Sequence, residues 1–167
     1  MSINRLETIQ DLDEAFRQFN VQLYRFVLVR CSHRKEMAEE LTQDVFIQAW
    51  EKKELFNSNR SSLRNWLYII ARNKIIDFYR KNKVTISLEE IGDFVAAERT
   101  DQIETDLLME DVIKKISLLE DDEQDILILR YLQEFEINEI EKVINKKYSA
   151  TKVMLHRAMQ KLKKLCI

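Results

Sequence analysis

The sequence predicts an all-α protein of two small helical domains joined by an acidic linker. Its 167 residues include one Gly and no Pro, so few residues interrupt helices or form tight turns. Apolar side chains recur at steps of three and four residues along most of the chain, which is the period of an amphipathic helix. This periodicity weakens between residues 84 and 105, which separates a domain at residues 1–83 from one at residues 106–167.

Charged residues divide the chain in the same way, although the net charge is only −2. Residues 60–83 carry seven basic and one acidic side chain, and residues 142–167 carry eight basic and no acidic ones. Between these basic blocks, residues 84–141 carry four basic and eighteen acidic side chains. Clustered Lys and Arg, and not net charge, drive phosphate binding. The pattern therefore predicts two nucleic-acid contacts joined by a segment that avoids DNA.

Three helices are expected in the N-terminal domain. Apolar residues repeat at helical spacing over residues 16–27 and 37–49, and a third helix follows the polar stretch 56–62. Ser61 or Ser62 is placed to cap this third helix, because a hydroxyl accepts a hydrogen bond from the backbone N–H groups of a first turn.

The third helix mixes apolar and basic side chains. Its apolar face consists of Leu63, Trp66, Leu67, Ile70, Ala71 and Phe78, and the other side has Asn65, Arg72, Asn73 and Arg80 with Ile69 and Ile76 among them. Apolar residues beside guanidinium groups suit a surface that binds phosphates and unstacked bases. The alternative is that Ile69 and Ile76 pack on a second neighbouring helix and the arginines are solvated.

The C-terminal domain is expected to end in a helix-turn-helix. An acidic helix start at Asp121 has Gln124 three residues later, in the spacing of a capping box. Asn145 suits the left-handed turn between a short helix and a final basic helix. Such a pair is typical of DNA-binding proteins.

Several classes of protein are disfavoured. The two cysteines, Cys31 and Cys166, and the two histidines, His33 and His156, do not form a metal-binding spacing, so neither a metal nor a cofactor is expected. No nucleophile–base pair or glycine-rich loop indicates an enzyme. No apolar run approaches 18 residues and no leader precedes the first helix, so a soluble, cytoplasmic protein without membrane insertion is expected.

Two stretches resemble the extracytoplasmic-function (ECF) group of the sigma-70 family. WLYIIARNKIIDFYR at residues 66–80, preceded by AEELTQDVFIQAW at residues 38–50, resembles region 2 of that group. Segments between residues 118 and 158 resemble its region 4, in the right order and at the right separation. The family consists of small two-domain subunits that direct bacterial RNA polymerase to promoters.

The resemblance implies a polymerase contact on the second helix. In the family this helix docks on the clamp helices of the polymerase's largest subunit. Gln43, Asp44 and Ile47 would be the contact residues, with Phe46 and Trp50 supporting them. The alternative for Trp50 is that its indole belongs to the core.

The resemblance also implies DNA contacts in the N-terminal domain. The loop before the third helix would capture a base flipped from the −10 element, and the helix would steer the opened strand. Base-edge contacts would come from Asn57, Ser58 and Asn59, and phosphate contacts from Arg60, Arg64, Arg72, Lys74, Arg80 and Lys81. The acidic linker would follow the positively charged RNA-exit path.

The recognition helix departs from the family pattern. Its expected DNA contacts are Lys147, Ser149, Lys152, His156 and Arg157, but Met154 stands where the family places an arginine that reads a base edge. Phosphate binding is therefore expected with weak sequence reading.

The sequence is identified as an ECF-type sigma factor, and two other functions stay open. The implied partners are core RNA polymerase at its clamp and flap, promoter DNA, and either an anti-sigma factor or a recruiting DNA-binding protein. One alternative is a helix-turn-helix regulator that binds duplex DNA without polymerase, with residues 38–81 as a dimerisation bundle. The other is a helical adaptor that binds only protein.

Overall fold

The computed structural model describes residues 1–82 and 103–167, with side chains in the second range from residue 108 onward. Every regular element in these two ranges is a helix, which confirms the predicted all-α class. The predicted linker, residues 84–105, lies outside the described residues except for its last three, which belong to the first turn of a helix.

The N-terminal half, residues 1–82, contains the three helices that the sequence predicts. They are α1 (Ile9–Arg30), α2 (Lys35–Glu51) and α3 (Leu63–Asn82), with a single 3-10 turn at Lys53–Leu55. The Ser62 hydroxyl accepts a hydrogen bond from the backbone N–H of Asn65 at 3.1 Å, as expected for a cap at the start of α3.

The C-terminal half, residues 103–167, contains four helices. They are α4 (Ile103–Ile116), α5 (Asp121–Leu127), α6 (Ile137–Ile144) and α7 (Tyr148–Leu165), and α5 continues into a π-helical turn at Ile128–Leu132. Asn145 ends α6 in the left-handed conformation with φ 54°, which confirms the predicted turn.

The predicted capping box of α5 was wrong by one residue. Glu120, and not Asp121, is the N-cap, and its partner in the box is Glu123. Acidic residues occupy four consecutive positions here, so the sequence did not fix which one caps the helix. Gln124 has a different role: its Nε2 donates to the carbonyl oxygen of Leu119 at 2.8 Å.

The buried apolar side chains of the two halves form one continuous core. Tyr68 on α3 lies at the junction, with its ring centroid 5.3 Å from that of Phe26 on α1 and 4.7 Å from that of Phe135 before α6. All three rings are fully buried. Helix α3 therefore packs on α1 and α2 with one face and on α6 with another.

Candidate nucleic-acid and polymerase interfaces

The second face of α3 is covered by the C-terminal half. Arg64, Tyr68 and Arg72 lie one turn apart along this face and all three contact that half. In this arrangement the guanidinium groups of Arg64 and Arg72 are bound by the C-terminal half and are not solvated, whereas Arg80 is exposed. Ile69 is half-buried against the core, and Asn65, placed by sequence on the polar side, is 2% exposed.

A cluster of charged side chains joins α1 and α3 to α5. Asp125 Oδ1 accepts a hydrogen bond from Arg30 Nε at 2.7 Å, and its Oδ2 accepts one from Arg72 Nε at 2.8 Å. Arg30 also donates to Asp121 Oδ1 at 2.9 Å, and Arg72 donates to Asp122. We call these residues, together with Gln124, the polar cluster; Arg30 Nη1 donates to Gln124 Oε1 at 2.7 Å.

The centre of the polar cluster is withdrawn from water. The side chains of Asp125 and Arg30 are 0% and 2% exposed. Burial raises the pKa of the Asp125 carboxyl above its ordinary value, although Arg30 and Arg72 both act to lower it. An unpaired charge in such a place is costly, whereas charges that are paired and hydrogen-bonded are tolerated. The cluster is therefore stable only while both halves supply their side chains.

Arg64 is held by a second set of contacts near the start of α6. Its Nη2 donates to the backbone carbonyl of Gln133 at 2.6 Å, and its guanidinium carbon lies 3.8 Å from the centroid of the Phe135 ring. Glu139 is the nearest carboxylate, with an N–O distance of 3.8 Å. Beside it, the Tyr68 hydroxyl donates to Gln133 Oε1 at 2.7 Å.

The remaining predicted phosphate and base contacts lie outside this covered face. The loop residues Asn57, Ser58, Asn59 and Arg60 are exposed, as are Arg80 and Lys81 at the end of α3. The Asn57 Oδ1 accepts a hydrogen bond from the backbone N–H of Asn59 at 2.9 Å, which fixes the turn at the loop tip. Arg80 pairs with Asp77 at 2.9 Å on the surface, and Lys74 lies 3.9 Å from Asp44.

The N-terminal segment before α1 packs beside this loop, which sequence reasoning missed. Asn4 Oδ1 accepts a hydrogen bond from the backbone N–H of Leu63 at 2.7 Å. The first N–H group of α3 therefore has a hydrogen-bond partner outside the helix. Ile3 and Leu6 of the same segment are buried. A polar cavity of about 260 Å³ separates the segment from Phe56 and Ser58. The segment is too short to show helical periodicity. The two apolar residues Ile3 and Leu6 were the signal in the sequence that could have indicated this contact.

An open apolar groove lies between α1 and α2. It measures about 430 Å³ and its apolar lining consists of Ile9, Leu12, Phe16, Phe46, Ile47 and Trp50. Of the predicted polymerase contacts, Ile47 is 56% exposed, Trp50 is half-buried and Phe46 is buried in the core. Gln43 is exposed, and the Asp44 side chain is 46% exposed. The sequence did not indicate the contribution of α1, because Ile9 and Phe16 fit a helical apolar pattern whether or not they are covered.

Helix α7 presents its predicted DNA contacts to solvent. Lys147 precedes the helix as its N-cap, and Ser149, Lys152, His156 and Arg157 are exposed along it. Val153 is 49% exposed on the same surface, whereas Met154 is half-buried against the core. Met154 thus contributes to packing, whereas its neighbour Val153 is an exposed apolar residue.

The described ranges contain no group of three or more His, Cys, Asp or Glu side chains arranged for a metal ion. Both cysteines are free thiols, Cys31 in the core and Cys166 on the surface. None of the helices that the structure describes has the length and apolar character to cross a membrane.

Known proteins match both halves. The family model for sigma-70 region 2 matches residues 16–85, and that for sigma-70 region 4 matches residues 109–162. The chain is 32% identical to the RNA polymerase sigma factor YlaC of Bacillus subtilis, over 95% of the chain and 91% of that protein. It is also 32% identical to the ECF RNA polymerase sigma factor SigM of the same organism, over 92% of the chain and 94% of that protein. The chain belongs to the ECF sigma factor family.

Solved sigma factor structures have the same fold. The sigma factor RpoE in complex with the anti-sigma factor NepR from Bartonella quintana superposes with a TM-score of 0.75, at 24% identity over 94% of this chain and 97% of that one. CnrH in complex with the cytosolic domain of CnrY gives a TM-score of 0.72, at 18% identity over 95% and 89% of the two chains. The predicted family is confirmed, and the relatives favour a sigma factor over both alternatives.

Proposed function

We propose that this sigma factor binds core RNA polymerase through the groove between α1 and α2, directs it to promoter DNA and helps to open the strands. It has no catalytic activity of its own and acts in the cytoplasm, where the polymerase is. The observation that carries the proposal is the groove, because Ile9, Phe16 and Ile47 are 58%, 41% and 56% exposed beside one another. A contiguous exposed apolar patch with a polar rim marks an interaction site.

The groove offers an apolar surface with acidic residues in its lining, on which a helix of the polymerase clamp could pack. Trp50 and Phe46 form its floor, where the Phe16 and Phe46 ring centroids lie 5.0 Å apart. The polar residues that line the groove are Asp13 and Glu51, and Gln43 and Asp44 are accessible elsewhere on α2. A helix packed into this groove would cover Ile47, the most exposed apolar side chain that α2 contributes to it.

The loop at residues 57–60 supports a role in strand opening. Its side chains are polar, exposed and next to the first turn of α3, so an extruded base could meet hydrogen-bonding groups there. Arg60, Arg80 and Lys81 are exposed for phosphate contacts. Arg64 and Arg72 join this surface only when the C-terminal half moves away.

The C-terminal half contributes a second DNA contact through α7. Its exposed basic residues bind phosphates of duplex DNA, and Val153 on the same surface offers no hydrogen bond to a base edge. Promoter choice at this site is therefore weak, and the polymerase flap is the protein partner of this half. One structural neighbour is a complex with the anti-sigma factor NepR, and an anti-sigma partner is proposed for this chain by that likeness.

Run-off transcription with purified core polymerase tests the function. The wild-type protein is expected to give promoter-directed transcripts that core enzyme alone does not give. Ile47→Asp should weaken core binding by about 100-fold, since it removes roughly 1.5–3 kcal/mol of apolar burial and adds a charge to be desolvated. Val21→Asp is the matched control, because Val21 is 57% exposed on α1 and does not line the groove. Equal core binding by the two variants would place the polymerase site elsewhere.

A further inference from the structure

The outer face of α7 has an apolar patch in the middle of its predicted DNA contacts. Val153 is 49% exposed, and Ala150, three residues before it, is also exposed. Residues three and four apart on a helix share a face, so Val153 lies between Ser149, four residues before it, and Arg157, four residues after it. A single exposed apolar residue is ordinary on a protein surface. This one, however, occupies the centre of a face whose other members are suited to DNA.

The packing of α7 fixes which of its faces points outward. Thr151 and Ala158 are 0% exposed and Leu162 is buried, on the side of α7 that packs against α5 and α6. At 3.6 residues per turn, Val153 lies about 140° around the helix axis from Ala158 and about 180° from Leu162. Val153 therefore points away from the core because of the register of the whole helix, and not because of one side-chain rotamer.

The basic residues of this segment divide between the core side and the outer side. Lys146 and Lys161 form ion pairs with acidic side chains of α5, with an N–O distance of 3.2 Å for Lys146. Lys152 and Arg157 are exposed beside Val153. Cationic side chains at the edges of such a face bind phosphates, whereas its centre meets the base edges between the two phosphate backbones. Val153 is thus placed for base edges.

The position of the patch along α7 agrees with this placement. In a helix-turn-helix, the residues near the N-terminus of the second helix contact base edges in the major groove. Helix α7 begins at Tyr148, so Ala150 and Val153 are its third and sixth residues. Neither side chain has a hydrogen-bond donor or acceptor, and the apolar group that base edges present in the major groove is the C5-methyl group of thymine.

We propose that α7 recognises thymine in duplex DNA through its C5-methyl group, with Val153 as the specificity-determining residue and Ala150 beside it. The inference rests on the proposed function, because it assumes that α7 enters the major groove of promoter DNA. Cytosine in the same place has no methyl group to cover and turns its N4 donor toward Val153, which cannot accept a hydrogen bond. Burial of one methyl group corresponds to roughly fourfold in affinity, so the preference is modest and agrees with weak promoter choice at this site.

The experiment uses the sigma factor assembled with core RNA polymerase. Duplexes that the holoenzyme binds are selected from a random pool, and each enriched thymine is then replaced singly by deoxyuridine, which lacks only the C5-methyl group. The affinities for the thymine and uracil duplexes are compared by fluorescence anisotropy at one fixed salt concentration, because phosphate contacts make affinity depend on salt. Val153→Ala is the test variant. Val21→Ala is the matched control, since Val21 is 57% exposed on α1.

The wild-type holoenzyme is expected to bind the thymine duplex about fourfold more tightly than the uracil duplex at one or two positions. Val153→Ala should bring this ratio close to one, whereas Val21→Ala should leave it unchanged. A pool that yields no thymine whose methyl group matters would overturn the inference. The same ratio for Val153→Ala as for the wild type would also overturn it, since another part of the protein would then read the methyl group.

A conservative variant separates apolar contact from a general disturbance of the helix. Val153→Ile keeps an apolar side chain at the same place and is expected to retain the preference for thymine over uracil. A loss as complete as that of Val153→Ala would refute recognition by apolar contact. Run-off transcription is scored separately on a selected duplex. Its absence for the wild type would refute the proposed function, whereas normal transcripts with equal affinity for thymine and uracil duplexes would refute only this inference.

Discussion

The hydrogen bond between Tyr68 and Gln133 offers the sharpest test of the interface energetics. Tyr68→Phe removes the hydroxyl that donates to Gln133 Oε1 at 2.7 Å and keeps the ring that packs between Phe26 and Phe135. The substitution creates no cavity larger than an oxygen atom, so the packing contribution is preserved. The main change is a buried amide oxygen that loses its donor.

The expected cost follows from that unpaired acceptor. Leaving a buried acceptor unsatisfied lowers the free energy of unfolding by about 1–3 kcal/mol, and water cannot replace the hydroxyl easily because Tyr68 is 0% exposed. For a chain of this length each 1 kcal/mol lowers the melting temperature by about 2–4 °C. Tyr131→Phe is the control, since Tyr131 is 55% exposed and its hydroxyl can bond to water.

The assay is urea unfolding followed by circular dichroism, with a double variant to isolate the pair. Replacing both groups, in Tyr68→Phe with Gln133→Met, should recover part of the loss, because two apolar groups in contact leave no unpaired oxygen. A cost for Tyr68→Phe no larger than that for Tyr131→Phe would show that the two halves are not held together by this contact.

Three other outcomes are expected. Replacing Asn57, Ser58 and Asn59 by Ala should leave core binding intact and slow open-complex formation on duplex promoters, while a pre-melted template restores activity. Normal opening by this variant would show that the loop only connects two helices. Lys152→Ala should weaken duplex binding by the polymerase holoenzyme equally on all sequences and reduce the salt slope by about 0.9, whereas a loss confined to one sequence would indicate base reading. Hydrogen bonds from the backbone at the start of α1 hold the pKa of Asp11 at about 2, below its ordinary value of 3.8. The Asp11 carboxylate therefore stabilises the fold fully above pH 3.8, and this stabilisation is lost as the pH falls toward 2. Asp11→Asn should therefore lower stability at neutral pH and flatten the acid limb of the stability curve, and parallel pH profiles for the two proteins would contradict this.

The helices and their turns could be predicted because their signals are local. Ser62 and Asn145 act within one turn of their own positions, where a hydroxyl cap and a left-handed residue have few alternatives. The same reasoning placed the cap of α5 one residue too late, since neighbouring acids compete for one site. Helical periodicity predicted which helices exist more reliably than it predicted the residues at which they begin.

The pairing of the two halves could not be predicted because it joins residues far apart in sequence. Arg72 and Asp125 are 53 positions apart, and Arg30 and Asp125 are 95 apart. A helical pattern shows which side chains share a face, but not whether that face meets water, DNA or another helix. The acidic block was interpreted as a segment that avoids DNA, whereas its described part includes the carboxylates that bind the arginines of α1 and α3.

The candidate polymerase site was predicted on one helix, and the groove proposed for it is lined by two helices. Ile47 and Trp50 could be assigned because the quoted sequence resemblance begins at residue 38 and covers α2, whereas α1 ends before that residue. Ile9 and Phe16 follow the same helical spacing as the buried residues of α1. Their exposure depends on how α1 packs against α2, which the spacing of apolar residues does not show.

The cap that Asn4 places on α3 has a consequence for the order of folding on the ribosome. Asn4 is synthesised 59 residues before Leu63, an interval of about 3–12 s at the usual speeds of translation. The N-terminal segment and the helical hairpin of α1 and α2 can thus be in place when the first turn of α3 emerges, and α3 forms against a prepared surface. Asp125, which pairs with Arg30 and Arg72, is translated later, so the nascent protein passes through an interval in which this face of α3 is uncovered.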